Sequence, residues 1–326
     1  MEKNILNEEI QKFGELANNL RKEIAKKVVG QETLIRDMIV ALFAGGHILL
    51  EGAPGLAKTL TIDTMSKALD TGFKRIQFTP DLLPSDLVGT KIYNPAKGDF
   101  STKFGPIFTN FLLTDEINRA PSKVQSALLE AMAEKQVTIG DETYKLEAPF
   151  MVLATQNPIE QEGTYTLPEA QLDRFLLKTI VVYPTEFEEI QIMKNNFEKL
   201  DEIQKVLSKS DIIKYQDLIK KVYCDDKIFN YVRDLVFATR EPARFGLEKI
   251  AAYISYGLSP RASIAVIAGA KVLAALDGRS FVIPEDIKEM AYPVFRHRII
   301  MSYDAIADEV KTDDIIKILL DNVKVM

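Results

Sequence analysis

The stretch HILLEGAPGLAKTLTIDTMSKALD, residues 47–70, decides the fold. It opens as a short apolar run, turns through GAPGLAKT (Gly52 to Thr59) and closes in a helical pattern. Strand, glycine-rich loop and helix in that order form the context in which G-x-x-x-x-G-K-[ST] cradles phosphate. Glycines let backbone N–H groups curl round an anion, and the following helix points its positive end at the same place. Lys58 adds a cation, and Thr59 a hydroxyl suited to Mg²⁺. One residue departs from the pattern: Ala57 stands where it asks for glycine. Gly52 and Gly55 are the expected positive-φ positions. Ala57 is expected at the threshold of the helix, in α-region angles that cost alanine nothing. Its N–H would then stay available, and the loop would be a working site.

Short apolar runs recur outward from this point: RIQF (75–78), FLLTDE (111–116), FMVLATQNP (150–158) and LLKTIVVY (176–183). With HILLEG they make five strands. Helical patterns separate several of them; in PSKVQSALLEAMAEK the residues Val124, Ala127, Leu128, Ala131 and Met132 form one stripe. Strands alternating with helices predict an α/β fold with a parallel sheet. Residues 8–28 read as an amphipathic helix on Ile10, Phe13, Leu16, Ala17, Leu20 and Ile24, followed by a second helix opening at VVGQETLI and ending near residues 44–46. Two segments read as hairpins inserted near 88–107 and 134–149. After Tyr183-Pro184 the strand signal stops, so a core over 1–190 and a smaller all-helical region over 191–326 are expected.

Two polar features end strands at the edge where open α/β sheets bind ligands. Asp115 and Glu116 close FLLTDE; the first can hold Mg²⁺ through water and the second can take a proton from an attacking water. Asn157 closes the next strand and could hydrogen-bond a terminal phosphate or that water.

The rest of the composition bounds the function. The chain has 326 residues, 47% hydrophobic and 27% charged, with net charge −6, so it offers no global attraction to nucleic-acid backbones. A single cysteine, Cys224, excludes an internal disulfide. His47 reads as the first residue of a strand and His297 as part of a basic surface run. The charged N-terminus and the lack of a long apolar run predict a cytoplasmic protein.

VGQ at 29–31, GAPGLAKT, LLTDEINRAP at 112–121, ATQNP at 154–158, LPEAQLDRF at 167–175 and GLSPRAS at 257–263 together resemble the MoxR family of AAA+ ATPases. The resemblance implies a P-loop core with a small helical lid, ATP and Mg²⁺ as ligands, and a hexameric ring. It implies that Gly52, Ala53, Pro54, Gly55, Leu56, Ala57, Lys58, Thr59 and Leu60 wrap the nucleotide, with Val29 and Gly30 on its adenine side. Asp115 and Glu116 become Walker B, Asn157 sensor 1, Arg174 the arginine finger serving a neighbouring subunit, and Arg261 sensor 2 in the lid. Arg119 is a second candidate for the trans-acting role. Arg261 has support from its own surroundings: Ser259 and Pro260 read as cap and first residue of a helix, which puts Arg261 in a first turn. The family further implies a protein client, with a von Willebrand factor A-type domain acting in trans. A nucleic-acid motor or loader, or a magnesium-chelatase-like subunit, is the alternative. The first hairpin carries Lys91, Lys97 and Lys103 against Asp99, but the second sets Glu134, Asp141, Glu142 and Glu147 against Lys135 and Lys145, a net acidic tip that suits phosphate threading poorly.

Overall fold

The computed structural model describes residues 2–95, 98–157, 165, 167–197 and 201–325. Lys97 of the first hairpin and Pro158 of the ATQNP segment lie outside them. The chain divides into two compact units, one of Asn18–Phe175 with Thr179–Lys214 and one of Met1–Ala17, Leu176–Lys178 and Tyr215–Met326.

Helix α1 (Glu2–Ala25) is longer at its start than the pattern suggests, and its buried stripe is Ile10, Phe13, Ala17, Leu20 and Ile24. Helix α2 (Glu32–Phe43) follows. The α/β unit then runs β1 (Ile48–Glu51), α3 (Lys58–Ala68), β2 (Phe73–Gln77), α4 (Pro84–Val88), β3 (Gly89–Asn94), β4 (Asp99–Phe104), β5 (Phe111–Asp115), α5 (Ser122–Glu134), β6 (Gln136–Ile139), β7 (Glu142–Lys145), β8 (Met151–Gln156), α6 (Glu169–Leu172), β9 (Leu177–Ile180) and α7 (Glu186–Asn195). The five expected strands form one sheet in the order β2-β5-β8-β1-β9. Its β2–β5, β5–β8 and β8–β1 pairings are parallel. β3–β4 and β6–β7 are the two inserted hairpins, both antiparallel.

The three inner strands begin as apolar runs and turn polar only at their carboxyl ends, the pattern of a parallel sheet covered on both faces. Leu49, Leu112 and Val152 are fully buried and pack with Val124, Leu128 and Met132 of α5. The stripe read from the sequence is therefore the sheet-facing side of that helix, with Ala127 at its margin. α7 is started by Thr185, whose hydroxyl accepts from the Glu188 N–H while Glu188 reaches back to the Thr185 N–H, a reciprocal cap that marks the end of the strand region.

The other unit holds α9 (Asp226–Arg240), α11 (Pro260–Leu276), α12 (Pro284–Phe295) and α14 (Thr312–Asn322), joined by the shorter α10 (Glu248–Ala251) and α13 (Tyr303–Ala307), with part of α8 (Lys209–Ile219). It is not all helical. β10 (Ile254–Tyr256) and β11 (Ile300–Met301) form an antiparallel pair. Runs of three and two residues are too short to show a period in the sequence. His297 is another correction: with Arg298 it is buried, and Arg298 donates to the carbonyls of Leu176 and Val294.

His47 precedes β1 and is a buried fastener. Its Nδ1 accepts the Val152 N–H at 2.9 Å, so Nε2 carries the proton and faces the Met132 carbonyl at 3.3 Å. Burial, opposed by that carbonyl, pushes its pKa down to about 4. The unfolded chain binds this proton near pH 6.5 and the folded chain does not until about pH 4. Stability is therefore full above pH 6.5 and is lost as the pH falls through this window, by at most about 3 kcal/mol. We expect the His47 ring signals in an NMR titration to stay those of a neutral imidazole down to pH 5. A midpoint near 6.5 would contradict the buried double contact.

Candidate nucleotide site

The parallel order brings the carboxyl ends of β5, β8 and β1 to one edge, side by side. A cavity of about 310 Å³ opens there, lined by the 52–60 loop apart from Ala53, by Asp115, Glu116 and Asn157, and also by Arg75, Gln77, Thr155 and Gln156. The Gly52 N–H donates to the Gln156 carbonyl at 3.4 Å, tying the loop to β8.

The loop's glycines do different work. Gly55 has φ +83 with open space around it. Gly52 is not at positive φ, contrary to expectation; a Cβ there would lie 2.6 Å from the Val181 carbonyl oxygen, so glycine is required by close approach. Ala57 is the larger correction. It sits at φ 56, ψ 17, in the left-handed region and not in α-region angles. Its carbonyl accepts both the N–H and the hydroxyl of Thr61 at 2.9 Å, so the first turn of α3 holds it there. The substitution therefore costs on the order of 1 kcal/mol and counts against the argument that made it free. The case for a working loop rests on the surrounding groups instead.

Lys58 folds over the loop, donating to the carbonyls of Gly52 at 2.8 Å and Ala53 at 3.1 Å. Burial lowers its pKa, while Asp115 and Glu116 pull the other way. Thr155 links the two acids. Its hydroxyl donates to Asp115 Oδ1 at 3.2 Å and accepts the Glu116 N–H at 2.9 Å. Asp115 Oδ2 accepts from Arg75 Nε at 2.6 Å. Glu116 is left-handed at φ 56, a second strained residue in the site. Its Oε2 lies 2.9 Å from Arg119 Nε, yet that oxygen accepts no hydrogen bond. The contact is an ion pair of poor alignment, and we read it as electrostatic only.

The remaining sequence-derived residues divide. Gly30 (φ +67) lines a second cavity of about 490 Å³ together with Val28 and Arg36; Val29 is half-buried and the neighbouring Val28 lines that cavity in its place. Arg174 does not line the 310 Å³ cavity; its Nη1 donates to the Leu129 carbonyl of α5 at 2.9 Å. Arg261 lies in the other compact unit, in the first turn of α11, where Ser259 Oγ accepts its N–H at 3.2 Å. Sequence reasoning missed Arg75, Gln77 and Thr155. Two polar residues at alternate positions 75 and 77 of a strand were the available signal.

The donor set is hard oxygen, the Thr59 hydroxyl and the Asp115 carboxylate, which suits Mg²⁺. Among the described residues no cluster of three or more His, Cys, Asp or Glu could hold a metal unaided. A cation here would need phosphate and water to complete its shell, the usual habit of Mg²⁺.

Parallel sheet, phosphate loop and paired acids define a P-loop nucleotide-binding protein. The family model of ATPases associated with various cellular activities matches residues 47–177, and the AAA lid domain model matches 248–319. The chain is 46% identical to chaperone MoxR1 of Mycobacterium tuberculosis over 92% of its own length and 80% of that protein. It is 41% identical to the uncharacterised YeaC of Bacillus subtilis, over 93% of the chain and 92% of that protein. A crystal structure of a candidate ATPase from Cytophaga hutchinsonii superposes with a TM-score of 0.94 at 50% identity, covering 100% of this chain and 99% of that one. The chain belongs to the MoxR family of AAA+ ATPases.

The strain at Ala57 has a measurable consequence. Ala57→Gly should stabilise the protein by about 0.5–1 kcal/mol, the relief of left-handed strain less the added freedom of the unfolded chain. Chemical denaturation would check this; a loss of stability, as for glycine within a helix, would contradict the left-handed assignment.

Proposed function

We propose that this chain is a Mg²⁺-dependent ATP hydrolase that works as a ring, of six subunits, and remodels or matures protein partners in the cytoplasm. The observation that carries the reading is the Thr155 bridge, which fixes both acids beside the phosphate loop. In this reading the nucleotide-binding core is 1–190 and the lid 191–326. Loop N–H groups and Lys58 neutralise the β and γ phosphates; Thr59 and Asp115 hold the cation. Bound Mg²⁺ would supply charge neutralisation at the phosphoryl oxygens. Glu116 takes the proton of the attacking water and Asn157 orients it. Arg174, or Arg119 beside Glu116, completes the neighbouring subunit's site by stabilising charge on the transferring phosphoryl. Arg261 senses the nucleotide from the lid.

The MoxR1 relative is named a chaperone, which supports a protein client. Exposed Ile92, Tyr93 and Phe100 on β3–β4 suit an apolar polypeptide surface. A von Willebrand factor A-type domain acting in trans is the partner class we favour, on family resemblance. Among the described residues no helix is long and apolar enough to cross a membrane.

Glu116→Gln keeps shape and removes the base. Phosphate release should fall by roughly 10²–10⁴-fold with ATP binding retained. Equal rates in both proteins would remove Glu116 from catalysis. Capture with this variant in ATP should enrich a protein partner; nucleic acid without protein would favour the motor reading instead.

A further inference from the structure

Arg75 was absent from every motif, yet it stands in direct contact with the acid that would serve the cation. It lies on β2, whose Gln77 pairs in register with Asp115, so residues 75 and 77 share one face of the sheet and Arg75 reaches two residues along it. Nε meets Asp115 Oδ2 at 2.6 Å. The other carboxylate oxygen is engaged by Thr155. The two partners differ in freedom: the Asp115 side chain is 12% exposed and the Arg75 side chain 54%. The acid is fixed by its strand and by Thr155, while the guanidinium can leave into solvent.

We propose that Arg75 is the exchangeable counter-ion of Asp115, holding the carboxylate's charge until a divalent cation takes its place. This rests on the nucleotide-site reading above and deepens it. A cation or its bound water approaching Oδ2 meets a full positive charge already hydrogen-bonded there. Both cannot keep that short contact, so the arginine gives way. Arg75 thereby lowers the site's affinity for the cation and offsets the Asp115 charge without it, while Arg119 stands 2.9 Å from Glu116. Lys58 attracts both acids only from a longer range, because its ammonium is turned to the carbonyls of Gly52 and Ala53. No proton or covalent bond changes hands; one cation replaces another at a fixed carboxylate.

The test uses Mn²⁺ as the probe, with free Mn²⁺ read by electron paramagnetic resonance in protein saturated with ADP. Arg75→Gln should bind Mn²⁺ about three- to tenfold more tightly than the unaltered protein, since a half-exposed ion pair no longer competes. Arg75→Lys, which keeps charge but loses the Nε contact, should fall between. In EDTA the thermal midpoint of Arg75→Gln should drop below that of the unaltered protein, and Mn²⁺ with ADP should close the gap. Equal or weaker Mn²⁺ binding by Arg75→Gln, with ADP and Mn²⁺ still bound by the unaltered protein, overturns this inference alone. If the unaltered protein binds neither ADP nor Mn²⁺, the nucleotide-site reading itself falls and takes the inference with it.

Discussion

Everything at the site depends on the parallel pairing of β8 with β1 on one side and β5 on the other. Parallel neighbours end at the same edge, so the loop after β1, the acids after β5 and the polar end of β8 meet there without any need for long side chains. Thr155 then converts adjacency into geometry. A hydroxyl both donates and accepts, and this one spends its proton on Asp115 and its lone pair on the Glu116 N–H. The helix that follows β1 and the apolar side of α5 hold the sheet in place, and the buried His47 ring spans from the Val152 N–H to the Met132 carbonyl behind it.

The site also holds two of the non-glycine residues with left-handed backbone, Ala57 and Glu116, and others stand elsewhere at Asp70, Lys135 and Glu309. Gln31, Ala57 and Glu116 all stand at positive φ near one of the two cavities, although none is glycine. Each follows or precedes a turn into a helix, where the chain must reverse within one residue. Such angles cost of order 1–3 kcal/mol each and survive only where the surrounding structure fixes them. Here β1 with α3, and β5 with the short helical turn at Ile117–Arg119, do the fixing. A glycine-rich loop curled ahead of a helix is the setting in which backbone N–H groups can meet an anion.

Much of this could be read in the sequence because periodicity and punctuation are local. Apolar runs marked the five strands, and GAPGLAKT between a strand and a helical stripe marked the phosphate loop. Strand order is not local, so nothing in the sequence alone said that β8 lies between β1 and β5, or that β2 lies at the edge beside Asp115. Arg75 and Thr155 stayed hidden for that reason: their roles exist only across strands. The misreading of Ala57 had a different origin. The sequence correctly marks the start of a helix there, but the residue before a helix is free to be left-handed, and the loop's curl requires it. The β10–β11 pair was missed because so few residues carry no period.

Nucleotide binding at one edge of the sheet, through the loop, the lysine and the acids together, is the proposal on which the other roles stand. Calorimetric titration of ATP with Mg²⁺ into the unaltered protein and into Lys58→Ala tests it most directly. We expect one nucleotide per chain, weakened at least about tenfold in the variant through loss of a charge-assisted contact to phosphate. Undiminished binding by Lys58→Ala would contradict it.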